Sequence, residues 1–409
     1  MGVEARAEAE AIAEAEAEAE AEAGAFAGAE AIAGAGTVAA ADAYHQPVQV
    51  PDIRLEPWPL PAGYEWCTMD MHADKDARDV FELLVGHYVE SEDAVFRFAY
   101  SMPFLQWALC PPGYVKDWHV GLRATTAPGQ PLLAFISGIP MDAQVWGRPL
   151  RTCEINFLCV HKRLRNRRLT PVLIKEVTRR VNVHGVFQAV YTAGVDLCSC
   201  LASCRYYHRD LNCRKLVDIG FADLGPRMTM RRYEKLHPVR KHPVTPGLRP
   251  LELADVPVVT GLLNTYLSKF QLRQTFTEEC VRHWFMSRPG VVQCFVVPND
   301  DGVVTDVVSF YVIDSTVHKV PRHTTLRAAH GFYVVANTCT LTQLYEDAFA
   351  LAAAQGADVF NVMNTMDNAP EVLMAAPLRF KPGNGVLRYY VYNWRCPAMC
   401  PAQIGMTFV

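Results

Sequence analysis

The sequence predicts an α/β protein made of two copies of one plan joined in tandem. A faint internal repeat of roughly 185 residues aligns by turn and apolar pattern rather than by identity. Within each copy the hydrophobic period switches between that of strands and that of helices, as in a layered α/β domain. Half of the 409 residues are hydrophobic, which is enough for two sizeable cores or one large fused one.

The first 45 residues are mostly Ala and Glu. They favour helix by propensity yet offer little to bury, so residues 1–45 are expected to be a disordered tail. From Gln46 the composition turns to Pro, aromatics and β-branched residues, and ordinary globular sequence runs to Val409. The expected halves are 46–240 and 241–409.

Copy one reads "WCTMDMHADKDARDVFELLVGHYV", "FLQWAL", "LLAFISGIP", "CEINFLCV" and the helix "TPVLIKEVTRRV". Copy two reads "RPLELADVPVVTGLLNTYL", "VRHWF", "VVSFYVI", "AAHGFYVV" and the helix "TLTQLYEDAFALAAAQG". Each is a strand, helices, further strands and a long helix opening directly after a strand. A closing strand follows, "FQAVYTAG" in copy one and "ADVFNVMN" in copy two.

Composition excludes several classes of function. Net charge is −4 and the acidic excess lies in the tail, so no basic field invites nucleic acid. Thirteen Cys, an odd number without clustering, and no signal-peptide pattern point to a reducing cytoplasmic compartment. No run of 18 apolar residues occurs, so no membrane insertion is expected. Gly2 heads the chain, but Arg6 stands where an N-myristoylation signal needs Ser or Thr. The spacing of Cys198, Cys200, Cys204 and Cys213 matches no pair of zinc knuckles, and no metal is expected.

Copy one carries "HKRLRNRRLTP" between its strand and its long helix, where copy two has only "ANTCTL". Five of the eight residues from His161 to Arg168 are basic. Such a run is ordinarily a solvated face, and nucleic acid is the other reading its composition suggests. Its placement points elsewhere. Thr170 reads as an N-cap and Pro171 as the first helical residue, with Leu173, Val177 and Val181 forming a buried stripe. A loop at a helix N-terminus offers unpaired N–H groups and a partial positive charge to a phosphate. Arg165, Asn166, Arg167, Arg168, Leu169 and Thr170 form that loop.

The spacing Arg-x-x-Arg-Leu-Thr resembles the pyrophosphate loop of GNAT-type acyltransferases. "EINFLCVHKRLRNRRLTPVLIKEVTRRVN", "FQAVYTAGV" and "RYYHRDLNCRKL" closely resemble the N-myristoyltransferase family, in order from "YEW" to the C-terminus. The resemblance implies two fused GNAT-like halves with pseudo-two-fold symmetry around a continuous mixed sheet. The first half would hold myristoyl-CoA, with Arg165 to Pro171 as its cradle. The second would supply most of the peptide site and the C-terminal carboxylate.

The implied reaction transfers myristoyl from its thioester to the N-terminal glycine amine of a protein, with no metal and no covalent enzyme intermediate. The resemblance places the oxyanion donors at the backbone of Phe157 and Leu158, with Asn156 beside them. It makes the Val409 carboxylate the base and sets Thr192 to hold the glycine nitrogen. Peptide contacts carried over are Tyr88, Val89, Asp93, Phe96, Phe98, Tyr100, Tyr206, His208, Asn212, Phe332 and Tyr333. By pattern alone, the aromatics of "FRFAY" read as core. The expected partners are proteins with N-terminal glycine; the enzyme is expected to be a monomer, with ribosome association left open by the tail.

Four departures from the family pattern bear on this. "RFKPGNG" replaces "KFGxGDG", bringing Lys381 and Asn384; Ser91 replaces an Asp; "AADAYHQPV" lacks the aromatics before Gln46; and "GFYV" replaces "SFYN", bringing Val334. They predict a weaker preference for Lys in the substrate and a looser hold on CoA. A same-fold acyltransferase with altered acyl or peptide choice, or a non-catalytic binder, are the other readings.

Overall fold

The computed structural model of the protein describes residues 53–88, 95–127, 129–197, 200–318 and 320–409. The Ala/Glu tail, Gln46 to Val48, Val89, Ser91, Asp93 and Cys198 lie outside the described residues.

In chain order the first elements are β1 (Tyr64–Thr68), α1 (Asp74–His87), β2 (Phe96–Ala99), α2 (Met102–Leu109) and β3 (His119–Ala124). Then come β4 (Leu132–Val145), β5 (Arg148–Val160), α3 (Leu169–Val183), β6 (Ala189–Ala193), β7 (Ala202–Asp210), α4 (Cys213–Asp218) and α5 (Met230–Leu236). The second copy follows as β8 (Arg249–Pro250), α6 (Val256–Leu267), β9 (Leu272–Gln274), α7 (Glu278–Phe285), β10 (Val292–Pro298), β11 (Val304–Val317) and β12 (Thr325–Val335). The chain closes with α8 (Leu341–Ala354), β13 (Val359–Met363), α9 (Pro370–Met374), β14 (Lys381–Tyr392) and β15 (Ile404–Gly405).

The residues form two compact units that interleave along the chain. Among the described residues, unit 1 takes 53–88, 108–127, 129–197, 200–203 and 387–399; unit 2 takes 95–107, 204–318, 320–386 and 400–409. In unit 1, β1, β3, β4 and β5 pair antiparallel in sequence, and β5 then pairs parallel with β6. In unit 2, β8, β10, β11 and β12 pair antiparallel in the same sequence, and β12 pairs parallel with β13. The repeat seen in the sequence is therefore a repeat of strand order and sense, with a helix, α3 or α8, crossing between each parallel pair.

The stripe Leu173, Val177 and Val181 of α3 is buried against Val120, Leu122, Ala134 and Ile136 of β3 and β4. The same helix buries Glu176, which accepts from Arg179, Arg180 and the Trp58 N–H, tying down the entering chain. In unit 2, α8 lays Leu344, Ala348 and Phe349 on Val308, Phe310 and Phe360.

Candidate functional site

The strand β5 is irregular at Phe157 and Leu158, the residues that the family resemblance implies as oxyanion donors. Cys159 faces Phe135 and Asn156 faces Ser137, so Phe157 and Leu158 together face the single residue Ile136. This is a β-bulge, and Phe157 sits in it at φ 54°, a left-handed conformation that costs a bulky residue about 1–3 kcal/mol. Both side chains pack inward while the backbone is displaced from regular pairing: Phe157 is buried and Leu158 lies on the unit 1 core.

Asn156 holds the bulge. Its Oδ1 accepts from the Phe157 N–H at 2.8 Å, and its side chain hydrogen-bonds Glu154, two residues back on the same strand face. Ser137 Oγ donates to the Asn156 carbonyl at 2.7 Å. Burial pushes the Glu154 carboxyl up to about 8 against the lowering effect of Asn156. Tyr88, at the end of α1, has its ring 5.8 Å from that of Phe157 and its phenol hydrogen-bonded to the Phe157 backbone. Burial raises that phenol's pKa. The structure thus brings Tyr88, expected to contact the peptide, to the β5 bulge.

The basic stretch follows at once. Lys162–Arg167 form a 3-10 turn, and Arg168 adopts φ 55° as the N-cap of α3. The helix begins at Leu169, so Thr170 and Pro171 are its second and third residues rather than its cap and first residue. Pro171 fits there because an N–H in the first turn would lack an intrahelical partner. No side chain caps this end. Asn166, Arg167 and Arg168 are exposed around it. Arg165 does something different: its Nη2 donates to the His87 carbonyl at 2.8 Å, fastening the turn to the end of α1. His161 packs against His87 with tilted rings whose centroids are 3.9 Å apart.

Copy two carries a bulge and a loop at the corresponding positions. There β12 bulges at Phe332 and Tyr333, which together face Ser309. Ser309 Oγ accepts from the Tyr333 N–H at 3.0 Å and donates to the Tyr333 carbonyl, satisfying the bulge internally. In the loop before α8, the N–H groups of Asn337, Thr338 and Cys339 all donate to Asp306 Oδ1, at 2.8, 2.9 and 2.9 Å. The second loop is an anion nest filled by the protein's own carboxylate. The residue of β4 at the corresponding repeat position is Leu133, which has no charge to offer.

On the peptide side, β2 carries Phe96 and Phe98 along β11, and Tyr100 packs on Phe98 and Phe104. Tyr206 and His208 lie on β7, with Phe332 and Tyr333 in the β12 bulge. Asn212 caps α4, accepting from Lys215 N, and also donates to Asp358. Tyr333 is fully buried and its hydroxyl accepts from the Thr407 N–H. Thr192 is half-buried on β6, opposite Tyr389.

The run Ile404 to Phe408 is buried, its β15 pairing parallel with β9. Tyr311 donates to the Phe408 carbonyl at 3.3 Å, next to Val409.

The departures have structural partners. Lys381 Nζ lies 2.9 Å from the buried Asp210 Oδ2 and also bonds Tyr233, so its charge is locally neutralised. Two residues on in β14, a Cβ at Gly383 would lie 2.1 Å from His208 Nε2, so only glycine allows this approach. Val334 is 7% exposed within the unit 2 core, where an amide would need buried partners.

Sequence reasoning missed Glu154, Asp306 and the pair Asn361 and His330. The available signal was a charged or polar residue inside an apolar strand, as in "CEINFLCV" and "VVTDVVSFYV". Among the described residues the cysteines are free thiols, no three metal-ligating side chains come together, and no helix is long and apolar enough to cross a membrane.

Comparison with known proteins agrees with this geometry. Residues 44–204 match the family described as Myristoyl-CoA:protein N-myristoyltransferase, N-terminal domain, and residues 218–406 match its C-terminal domain. The chain is 46% identical over 360 residues to Glycylpeptide N-tetradecanoyltransferase 1 of Arabidopsis thaliana, covering 88% of this chain and 82% of that one. It is 44% identical to the Drosophila melanogaster enzyme of that name, covering 88% and 75%. A crystal structure of Saccharomyces cerevisiae N-myristoyltransferase with bound myristoyl-CoA superposes with TM-score 0.84 at 36% identity, over 89% of this chain and 94% of that one. The chain belongs to the myristoyl-CoA:protein N-myristoyltransferase family.

Proposed function

We propose that this protein transfers a myristoyl group from myristoyl-CoA to the N-terminal glycine amine of proteins. The observation that carries the reading is the bulge at Phe157 and Leu158, followed at once by a basic turn and an uncapped helix N-terminus. A thioester needs the first and the CoA diphosphate the second, within one short run of chain.

In the proposed mechanism, the first turn of α3 and Arg167 and Arg168 hold the diphosphate. The bulge backbone at Phe157 and Leu158, set by Asn156, faces the thioester oxygen. Val409 carboxylate takes a proton from the glycine ammonium while Thr192 holds its nitrogen. The amine attacks the carbonyl carbon, oxygen charge is stabilised by the bulge, and the C–S bond breaks as the C–N bond forms. CoA leaves as thiolate and is protonated by the second amine proton or by solvent. Tyr88, Phe96, Phe98, Tyr100, Tyr206, His208, Asn212, Phe332 and Tyr333 line the peptide path in this reading, with Val89 and Asp93 completing it. In this reading the enzyme acts as a cytoplasmic monomer, with ribosome association left open.

A second reading, altered peptide choice, is favoured by the Lys381 to Asp210 ion pair and by exposed Asn384, which puts no acidic group at that position of β14. Mixing the protein with myristoyl-CoA and a peptide Gly-x-x-x-Ser, then weighing the product, tests the first reading. A Lys scan of the peptide tests the second. Absence of acylated product with every peptide would overturn both.

A further inference from the structure

Within unit 2, a small cavity of about 10 Å³ lies between Tyr206 and Phe332, with His330 and Thr407 also on its wall. That is room for one water-sized group. His330 is 8% exposed, and its Nδ1 is buried without a hydrogen-bond partner. Such an atom destabilises the fold unless something reaches it.

The surrounding bonds fix which proton that nitrogen carries. His208 Nδ1 lies 2.7 Å from Asn361 Oδ1, which accepts. The amide nitrogen of Asn361 then faces His330 Nε2 at 3.4 Å, and an amide nitrogen only donates. His330 Nε2 is therefore the acceptor, and Nδ1 bears the hydrogen. Stacking on Tyr311, 5.1 Å away and nearly coplanar, holds the ring in place. Burial lowers the His330 pKa to about 3, with His208 acting in the same direction, so the ring stays a neutral donor.

We infer that the Nδ1–H of His330 donates to a neutral oxygen acceptor held in this cavity. Resting on the acyltransfer reading, two sources supply such an oxygen: a Ser or Thr hydroxyl of the incoming peptide, or a resident water. A carboxylate is disfavoured because no cation lines the cavity.

The test compares octapeptides beginning with Gly, each with Ser or its hydroxyl-free counterpart Ala at one position in turn. Their kcat/KM is measured on wild type, H330F and H330Q, with thermal midpoints recorded for each. A peptide hydroxyl at the site gives about a three- to tenfold preference for Ser at one position. The preference disappears in H330F and returns in H330Q, which keeps a donor. A resident water gives no such preference, and a crystal structure with bound peptide shows an oxygen within hydrogen-bonding distance of Nδ1. Flat ratios in all three proteins together with no oxygen near Nδ1 overturn the proposal. If wild type acylates no peptide, the acyltransfer reading fails instead, while the crystal structure still tests the cavity.

Discussion

Asp306 accepts a hydrogen bond from the backbone N–H of Cys339, 33 residues away, at 2.9 Å, and holds two neighbouring N–H groups in the same way. This carboxylate occupies in the second repeat the place that a diphosphate takes in the first under the proposed function.

Replacing Asp306 with Leu, the residue at the corresponding position of β4, leaves three N–H groups of that loop without their acceptor. We expect a loss of about 2–4 kcal/mol in urea unfolding at pH 7. Burial works to raise the Asp306 carboxyl, but bonds from Thr338, Cys339 and Thr305 outweigh it and hold the pKa below 3.8. A depressed carboxylate stabilises the fold above its unfolded pKa, and this is lost as pH falls through the folded value. The stability gap between wild type and D306N should accordingly be full at pH 5 and shrink below pH 3.8; a gap that widens on acidification would contradict the assignment.

Glu154 has the opposite sign. Its folded pKa of about 8 lies above the ordinary 4.5, so ionisation opposes folding. Relative to E154Q, wild type should lose stability as pH rises from 4.5 to 8 and stay level beyond. Thermal midpoints across pH 4 to 9 measure this, and parallel curves would refute a buried, raised carboxyl.

The basic residues should separate by role. Changing Arg167 and Arg168 together to Ala is expected to weaken myristoyl-CoA binding by at least about tenfold in calorimetry, with stability little changed. Arg165→Ala should instead cost about 1 kcal/mol of stability, because it removes the bond to the His87 carbonyl. Equal effects of all three on binding alone would remove the distinction.

Deleting Val409 tests the base. The expected result is a fall in kcat of about 10²- to 10⁴-fold with myristoyl-CoA affinity retained. Loss of both together would mean that the buried run from Ile404 had come apart, and unchanged kcat would exclude the carboxylate.

Much of this was legible in the chain. The α/β repeat follows from local period, because each strand and helix buries the face its own spacing defines: Leu173, Val177 and Val181 point to the core simply by recurring every four residues. The basic loop is visible because charge and helix-start signals are both local, although the helix opens one residue before Thr170. The reading of Phe157 as a core residue holds, since its side chain is buried, and its N–H donates to Asn156 Oδ1 within the bulge.

Tertiary structure alone decided the rest. Residues 95–107 belong to unit 2 and 387–399 to unit 1, an exchange that depends on long-range strand pairing and leaves no mark in local pattern. Asp306 with its distant loop, Lys381 with Asp210, and His208 with Asn361 and His330 meet only once the sheets form. Sequence fixes which groups a strand presents and on which face; it does not fix which group from another strand will meet them. That is settled by register, and register by the sum of many small contacts along each pair of strands.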